Sequence, residues 1–369
     1  MKTIVLSQLD VQSIITTVGV DVLMDELISE LEKAFRNFDP QQTIVPVRDG
    51  FSYSNPHHGL LEWMPMLETG KHVMVKLVGY HPRNPNLSQL PTILSDFSLY
   101  SATTGQLEAI VDGTLLTAMR TGAASAVASR ALARPDSRVL GLIGCGTQAV
   151  TQLHALSRVF DIASVRFFDT DQDAVSSFEQ RCGALVPGIE FEASPLETVV
   201  GVADILCLAT SIDVGAGPVF ADQMTEKHLH INAVGSDFPE KFEVPVAMLR
   251  RCYVTPDVLA QAQVEGECQQ LEPANIGAEF HEVIRRTEQH AELQNCSTVF
   301  DSTGWVLEDY VVTKLLLDHA QRLEVGTRVS MGTHGKDPKN PYAFLTQLEE
   351  IKYDISAIET ALAAQGGTP

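Results

Sequence analysis

One stretch constrains this chain more than any other: Arg138 to Asp169, RVLGLIGCGTQAVTQLHALSRVFDIASVRFFD. A short β-rich apolar run, Val139 to Ile143, breaks at Gly144-Cys145-Gly146-Thr147-Gln148-Ala149. Helical spacing follows, and a second apolar run ends at Asp169. Strand, glycine turn, helix and strand in that order make one βαβ unit. Gly144 permits the tight turn, Gly146 lets the backbone approach a pyrophosphate, and Ala149 is small enough for the helix to pack on the strand. The helix N-terminus adds unpaired N–H groups and a partial positive charge. Asp169, 23 residues past Gly146, falls where an acid accepts from an adenosine ribose hydroxyl. Thr170-Asp171 follow with no arginine, which favours NAD over NADP because a 2′-phosphate would meet carboxylates. A nucleotide-free α/β unit with a tight turn is the plainer alternative.

Ahead of this unit, residues 21–38 carry Val22, Leu23, Leu27, Leu31 and Phe35 at helical spacing, an amphipathic helix expected to cover a sheet. Residues 43–113 change to β-rich runs (TIVPVRDGFSY, GLLEWMPM, HVMVKLVGY, TILSDFSLYSATTG, QLEAIVDG), with turns at Asn55-Pro56, Thr69-Gly70 and Thr104-Gly105. Such a succession predicts an antiparallel or mixed sheet. Arg48, Glu62, Lys76 and Arg120 interrupt the runs; singly, each reads as part of a solvated face. Residues 121–133, rich in alanine, predict a closely packed helix with Arg120 at its start, where a cation opposes the helix dipole and wants an anion.

Beyond Asp169 the strand candidates are IEFEA, ADILCLAT, HLHINAVG, CYVTPD and STVFDSTG. Several end in small polar groups, as suits a doubly wound sheet that binds ligands outside its carboxyl ends. Asp237 and Lys241 follow one such end. A helix over 306–323 leaves this domain, and the tail, with a helix-like segment from Phe344 to Ala364, is expected to return to the first.

Composition narrows the function. A net charge of −21 on 369 residues disfavours nucleic acid and anionic membranes. Six cysteines without a CxxC pair suit a reducing cytoplasm. Asp10 interrupts any signal-peptide core and no 18-residue apolar run occurs, so a soluble cytoplasmic protein is expected. His57-His58 and His228-x-His230 lack a third partner, so no metal is expected. No GxSxG or Cys/His nucleophile pattern supports a covalent hydrolase.

Six stretches in order resemble the ornithine cyclodeaminase and mu-crystallin family. They are Leu61-Glu62-Trp63-Met64-Pro65, Val75-Lys76, Thr117-Ala118-Met119-Arg120-Thr121, the Gly144–Gln148 turn, Asn232-Ala233-Val234-Gly235-Ser236-Asp237, and Phe300-Asp301-Ser302-Thr303-Gly304. Glu62, Asp237 and the stretch Val264 to Leu271 resemble bacterial ornithine cyclodeaminase rather than the ketimine-reductase branch. Residues 49–59 look like an insertion, and the tail after Thr327 also differs.

The resemblance implies an α/β fold: a Rossmann-like doubly wound domain plus an α+β substrate-binding and dimerisation domain with an antiparallel or mixed sheet. Residues 1–130 would form the substrate domain, 131–320 the NAD domain, and 321–369 a segment returning to the first. It further implies NAD-dependent conversion of L-ornithine to L-proline and ammonia in a homodimer. Arg48, Lys76 and Arg120 would hold the substrate carboxylate, Glu62 and Asp237 the amines, and Asp237 would be the acid/base group. Thr92, Arg120, Gly144, Gly146, Thr147, Gln148, Asp169, Thr210, Asn232, Ala233, Val234, Gly235, Lys241 and Ser302 would contact the dinucleotide. Other activities in view are a lysine cyclodeaminase, an imine reductase, an amino-acid dehydrogenase and a non-catalytic mu-crystallin-like binder. Structurally, Lys76 could be a snorkelling strand lysine, Glu62 its salt-bridge partner and Asp237 a turn cap.

Overall fold

A computed structural model describes residues 2–222, 228–332 and 337–342. In chain order the first elements are β1 (Thr3–Leu6), α1 (Gln8–Val18), α2 (Val20–Asn37), β2 (Thr43–Ile44), β3 (Asp49–Tyr53), β4 (Gly59–Glu68), β5 (His72–Tyr80), α3 (Asn84–Ser88), β6 (Ile93–Ser101), β7 (Leu107–Asp112) and α4 (Thr114–Leu132). Next come β8 (Val139–Ile143), α5 (Thr147–Ser157), β9 (Ser164–Phe168), α6 (Gln172–Cys182), β10 (Glu190–Ala193), α7 (Leu196–Val202), β11 (Ile205–Leu208) and β12 (His230–Ala233). The chain continues through α8 (Val246–Leu249), β13 (Tyr253–Pro256), α9 (Leu259–Glu265), α10 (Phe280–Val283), α11 (Thr287–Leu293), β14 (Thr298–Asp301), α12 (Val306–Leu323) and β15 (Thr327–Val329).

Two sheets result. The first runs β15-β1-β7-β6-β5-β4-β2, with β3 also on β4; it is mixed, since β1 and β7 are parallel while β4 to β7 form an antiparallel meander. The second runs β10-β9-β8-β11-β12-β14-β13 and every pair is parallel. Strand order reverses between β8 and β11, the place where a doubly wound sheet opens a crevice.

The run expected as one strand over 43–53 is split into β2 and β3, with Pro46 between them; proline has no N–H to give the ladder. The apparent insertion supplies β3, in register Gly50↔Glu62 with β4. Two expectations fail. The amphipathic helix α2 does not cover a sheet but packs on α4 and α12. The reason lies in α4, whose alanines, glycine and serines let it bury nearly every residue between the first sheet and its helical neighbours. And Arg120 is not at a helix start: α4 begins at Thr114, so Arg120 sits in its second turn, beyond the dipole's useful reach.

Helix α12 packs on α1, α2, α4, β4 and β5, and β15 pairs with β1, so the chain after β14 returns to the first sheet. The segment Phe344 to Ala364 lies outside the described residues. Among the described residues no helix is long and apolar enough to cross a membrane.

Candidate functional site

A cavity of about 1140 Å³ lies between the inner face of the first sheet and the carboxyl ends of the second. It exceeds the range typical of a single small ligand and has room for a dinucleotide with a second molecule. Its nucleotide end follows from the glycine turn. Gly144 has φ +94°, and a Cβ there would meet the Ala209 carbonyl oxygen at 2.5 Å, so both torsion and space require glycine. Gly146 caps α5 with open space around it and no side chain on the helix N–H groups. Asp169 directly follows β9, its carboxylate fixed by the N–H groups of Cys145 (2.6 Å) and Asp171 (2.9 Å). The Ser302 hydroxyl is buried without a hydrogen-bond partner, a donor aimed at something the chain does not supply. Turn, open helix end, acid and orphan hydroxyl together fit a dinucleotide.

Thr92, Gly144, Gly146, Thr147, Gln148, Asp169, Thr210, Val234, Gly235, Lys241 and Ser302 all line this cavity. Asn232 and Ala233 do not; both are buried in β12, and the cavity lining begins with Val234 just past the strand. Asn232 instead donates from Nδ2 to Ser129 Oγ at 2.9 Å, tying β12 to α4. Lys241 turns away from a pure cofactor role: its Nζ donates to Asp237 Oδ1 at 2.8 Å and lies 5.8 Å from the Tyr80 ring centroid.

At the other end Arg48, Glu62, Lys76, Arg120 and Asp237 share the same cavity wall. Arg48 Nη1 is 3.8 Å from a Glu62 oxygen, its Nε donates to Glu265 Oε1 at 2.6 Å, and its Nη2 donates to the Thr303 carbonyl at 3.1 Å. Lys76 is paired with Asp309 at 2.9 Å; Arg120 is paired with Asp309 at 3.0 Å and Glu308 at 2.5 Å. Burial pulls the Lys76 ammonium down to about 8 against the opposing pull of Asp309. Burial raises Glu62, and Asp237 adds to it while Arg48 opposes. Burial likewise lifts Glu265 to about 7 and Glu308 to about 8, although Arg48 and Arg120 respectively draw them back.

Sequence reasoning missed Glu243, Glu265, Glu308 and Asp309. Glu243 is fully buried and its carboxylate accepts from Thr210 N (2.8 Å), Thr210 Oγ1 (2.7 Å) and Gly235 N (2.8 Å), so it staples the ends of β11 and β12 together. Glu308 and Asp309 stand in the first turn of α12, where acids ordinarily serve the helix dipole at the surface. A signal was nonetheless present, for they fall within an apolar helical face. His230, one of the paired histidines, is a core residue on Thr298 Oγ1, with burial pressing it to about 3.

The family model of the ornithine cyclodeaminase/mu-crystallin family matches residues 9–324. The chain belongs to this family. Among its relatives, the L-lysine cyclodeaminase of Streptomyces rapamycinicus is 38% identical over 344 residues, 93% of this chain and 100% of that one. The ornithine cyclodeaminase of Agrobacterium tumefaciens is 28% identical over 344 residues, 91% of this chain and 92% of the other. A solved lysine cyclodeaminase, studied for recognition of L-lysine, L-ornithine and L-2,4-diaminobutyric acid, superimposes at TM-score 0.89 with 44% identity, covering 93% of this chain and 99% of that one. An archaeal alanine dehydrogenase dimer with bound NAD superimposes at 0.77 with 33% identity, covering 90% and 100%. Family relatives thus include NAD-dependent enzymes of amino acids, and ornithine is not singled out among their substrates.

Proposed function

We propose that this chain is an NAD-dependent cyclodeaminase of an α,ω-diamino acid, converting L-lysine or L-ornithine to a cyclic imino acid and ammonia. The observation that carries the reading is the convergence of Arg48, Lys76 and Arg120 with Glu62 and Asp237 in the same cavity that the glycine turn lines. Around them stand Glu265, Glu308 and Asp309, so acidic groups surround the cations as well as facing them. Such a site favours a ligand bringing ammonium groups as well as a carboxylate. The higher identity to a lysine cyclodeaminase makes L-lysine the first substrate to assay, with L-ornithine, which would give L-proline, beside it.

The chemistry a bound NAD supplies is reversible hydride exchange at the substrate α-carbon, which leaves the overall reaction redox-neutral. Thr147, Gln148 and the α5 N-terminus would hold its phosphates with Thr92, Thr210, Val234, Gly235 and Ser302 along its length, and Asp169 its ribose. Arg48, Lys76 and Arg120 orient the carboxylate. Asp237 takes the proton that an ammonium must lose before its nitrogen attacks, and Glu62 holds the other amine. The enclosing first sheet keeps water from the reacting carbon.

We also assign the substrate and dimerisation unit to residues 1–130 together with α12 and β15, and the NAD unit to the stretch between, in a cytoplasmic homodimer. The dimer reading is supported by Leu61, Trp63, Pro65, Leu67, Val73, Val75 and Leu77, which alternate with the buried inner residues of β4 and β5 and are only partly covered.

Purified protein with NAD and either diamino acid is expected to release ammonia and imino acid in equal amounts with no build-up of NADH. Steady NADH accumulation would instead make it a dehydrogenase, and consumption of NADH on a cyclic imine alone a reductase.

A further inference from the structure

Each cation expected to grip the substrate is backed by an internal acid, and one acid serves two of them. Asp309 Oδ1 accepts from Lys76 Nζ at 2.9 Å and from Arg120 Nε at 3.0 Å, while its Oδ2 is buried with no hydrogen-bond partner. Lys76 arrives on β5, Arg120 on α4 and Asp309 on α12, so three separate elements meet at one oxygen. The guanidinium cannot swing aside. Glu308 holds its Nη1 at 2.5 Å, and on the other flank Gly304, at φ +91°, leaves room where a Cβ would stand 2.9 Å from Nη2. Both cations nonetheless contribute to the cavity wall.

The surroundings of Lys76 are unequal. Arg120 from α4 and Arg48 from the segment before β3 oppose its charge, as does burial; Asp309 from α12 and Glu62 from β4 favour it, and the Phe97 ring of β6 lies 5.7 Å away. Of these, Asp309 makes the direct bond. An ammonium with 1% of its side chain exposed and two guanidiniums nearby needs that bond to stay protonated.

We propose that Asp309 is a positioning residue for the substrate carboxylate, a single oxygen that aims Lys76 and Arg120 into the cavity together and keeps Lys76 charged there. This rests on the reading that those two cations receive a carboxylate. It goes further by making binding depend on an acid that never touches the ligand.

The test measures calorimetric Kd values of L-lysine and L-ornithine with NADH present, together with KM, across neutral and mildly alkaline pH. Asp309→Asn is expected to weaken amino-acid binding little at about pH 6 and about tenfold or more by about pH 8, because Lys76 without its acid sheds its proton earlier. KM should move more than kcat, and NADH affinity should hold. Adding Lys76→Arg to Asp309→Asn should abolish the pH-dependent part, since a guanidinium stays charged. Asp309→Ser, which leaves space for a water, carries the series should the amide variant not fold. A loss equal at all pH values, or a variant indistinguishable from the parent, overturns the role of Asp309 alone. A parent protein that binds neither amino acid at any pH overturns the functional reading as well.

Discussion

Replacing Glu243 by glutamine keeps the shape of the side chain and removes one acceptor. In the native structure one carboxylate oxygen takes both donors of Thr210 and the other takes Gly235 N–H at 2.8 Å, all out of water. Glutamine can keep its carbonyl toward Thr210, but its NH2 then faces the Gly235 N–H, donor against donor. Leaving one buried N–H unpaired costs about 1–3 kcal/mol. Because Thr210 and Gly235 both line the cavity, the strand ends should part where the dinucleotide lies. Denaturant unfolding should show the stability loss, and NADH titrated by fluorescence should bind at least about fivefold more weakly, the lower end of that energy range. Unchanged stability together with an NADH affinity equal to that of the parent would show that the staple between β11 and β12 is not what shapes the crevice.

Three further outcomes are expected. Asp237→Asn should abolish turnover while NADH binding, followed by the same titration, persists; full activity in this variant would remove Asp237 from the chemistry. Arg120→Met leaves Glu308 and Asp309 each one hydrogen bond short in the interior, destabilising the protein by about 1–3 kcal/mol. Burial already holds Glu308 at about 8, and losing Arg120 lifts it further. A raised carboxyl gives its stability at low pH and loses it as pH climbs through the folded value. Melting curves should therefore show the deficit widening above about pH 8, where the parent has finished losing that contribution. Light scattering should give twice the 40.2 kDa chain mass, and Leu77→Arg, a charge on the partly covered sheet face, should return it to one.

What the linear chain determined is local. Gly144 and Gly146 between a strand and a helix, an acid at the end of β9, and alternating β-rich runs specify the two sheets because turn torsion and side-chain period are properties of neighbouring residues. Arg48, Glu62, Lys76, Arg120 and Asp237 were legible as a set only through an ordered resemblance, since no spacing rule relates strand charges far apart in sequence. The tertiary structure alone decided which acid meets which cation. Glu308 and Asp309 look like surface helix caps until α12 turns them inward, Glu243 gives no sign that it joins two strands, and Asn232 proves to brace α4 beneath the crevice rather than line it. Burial raises the energetic stakes of those pairings, and burial is set by packing between elements that the chain brings together from opposite ends.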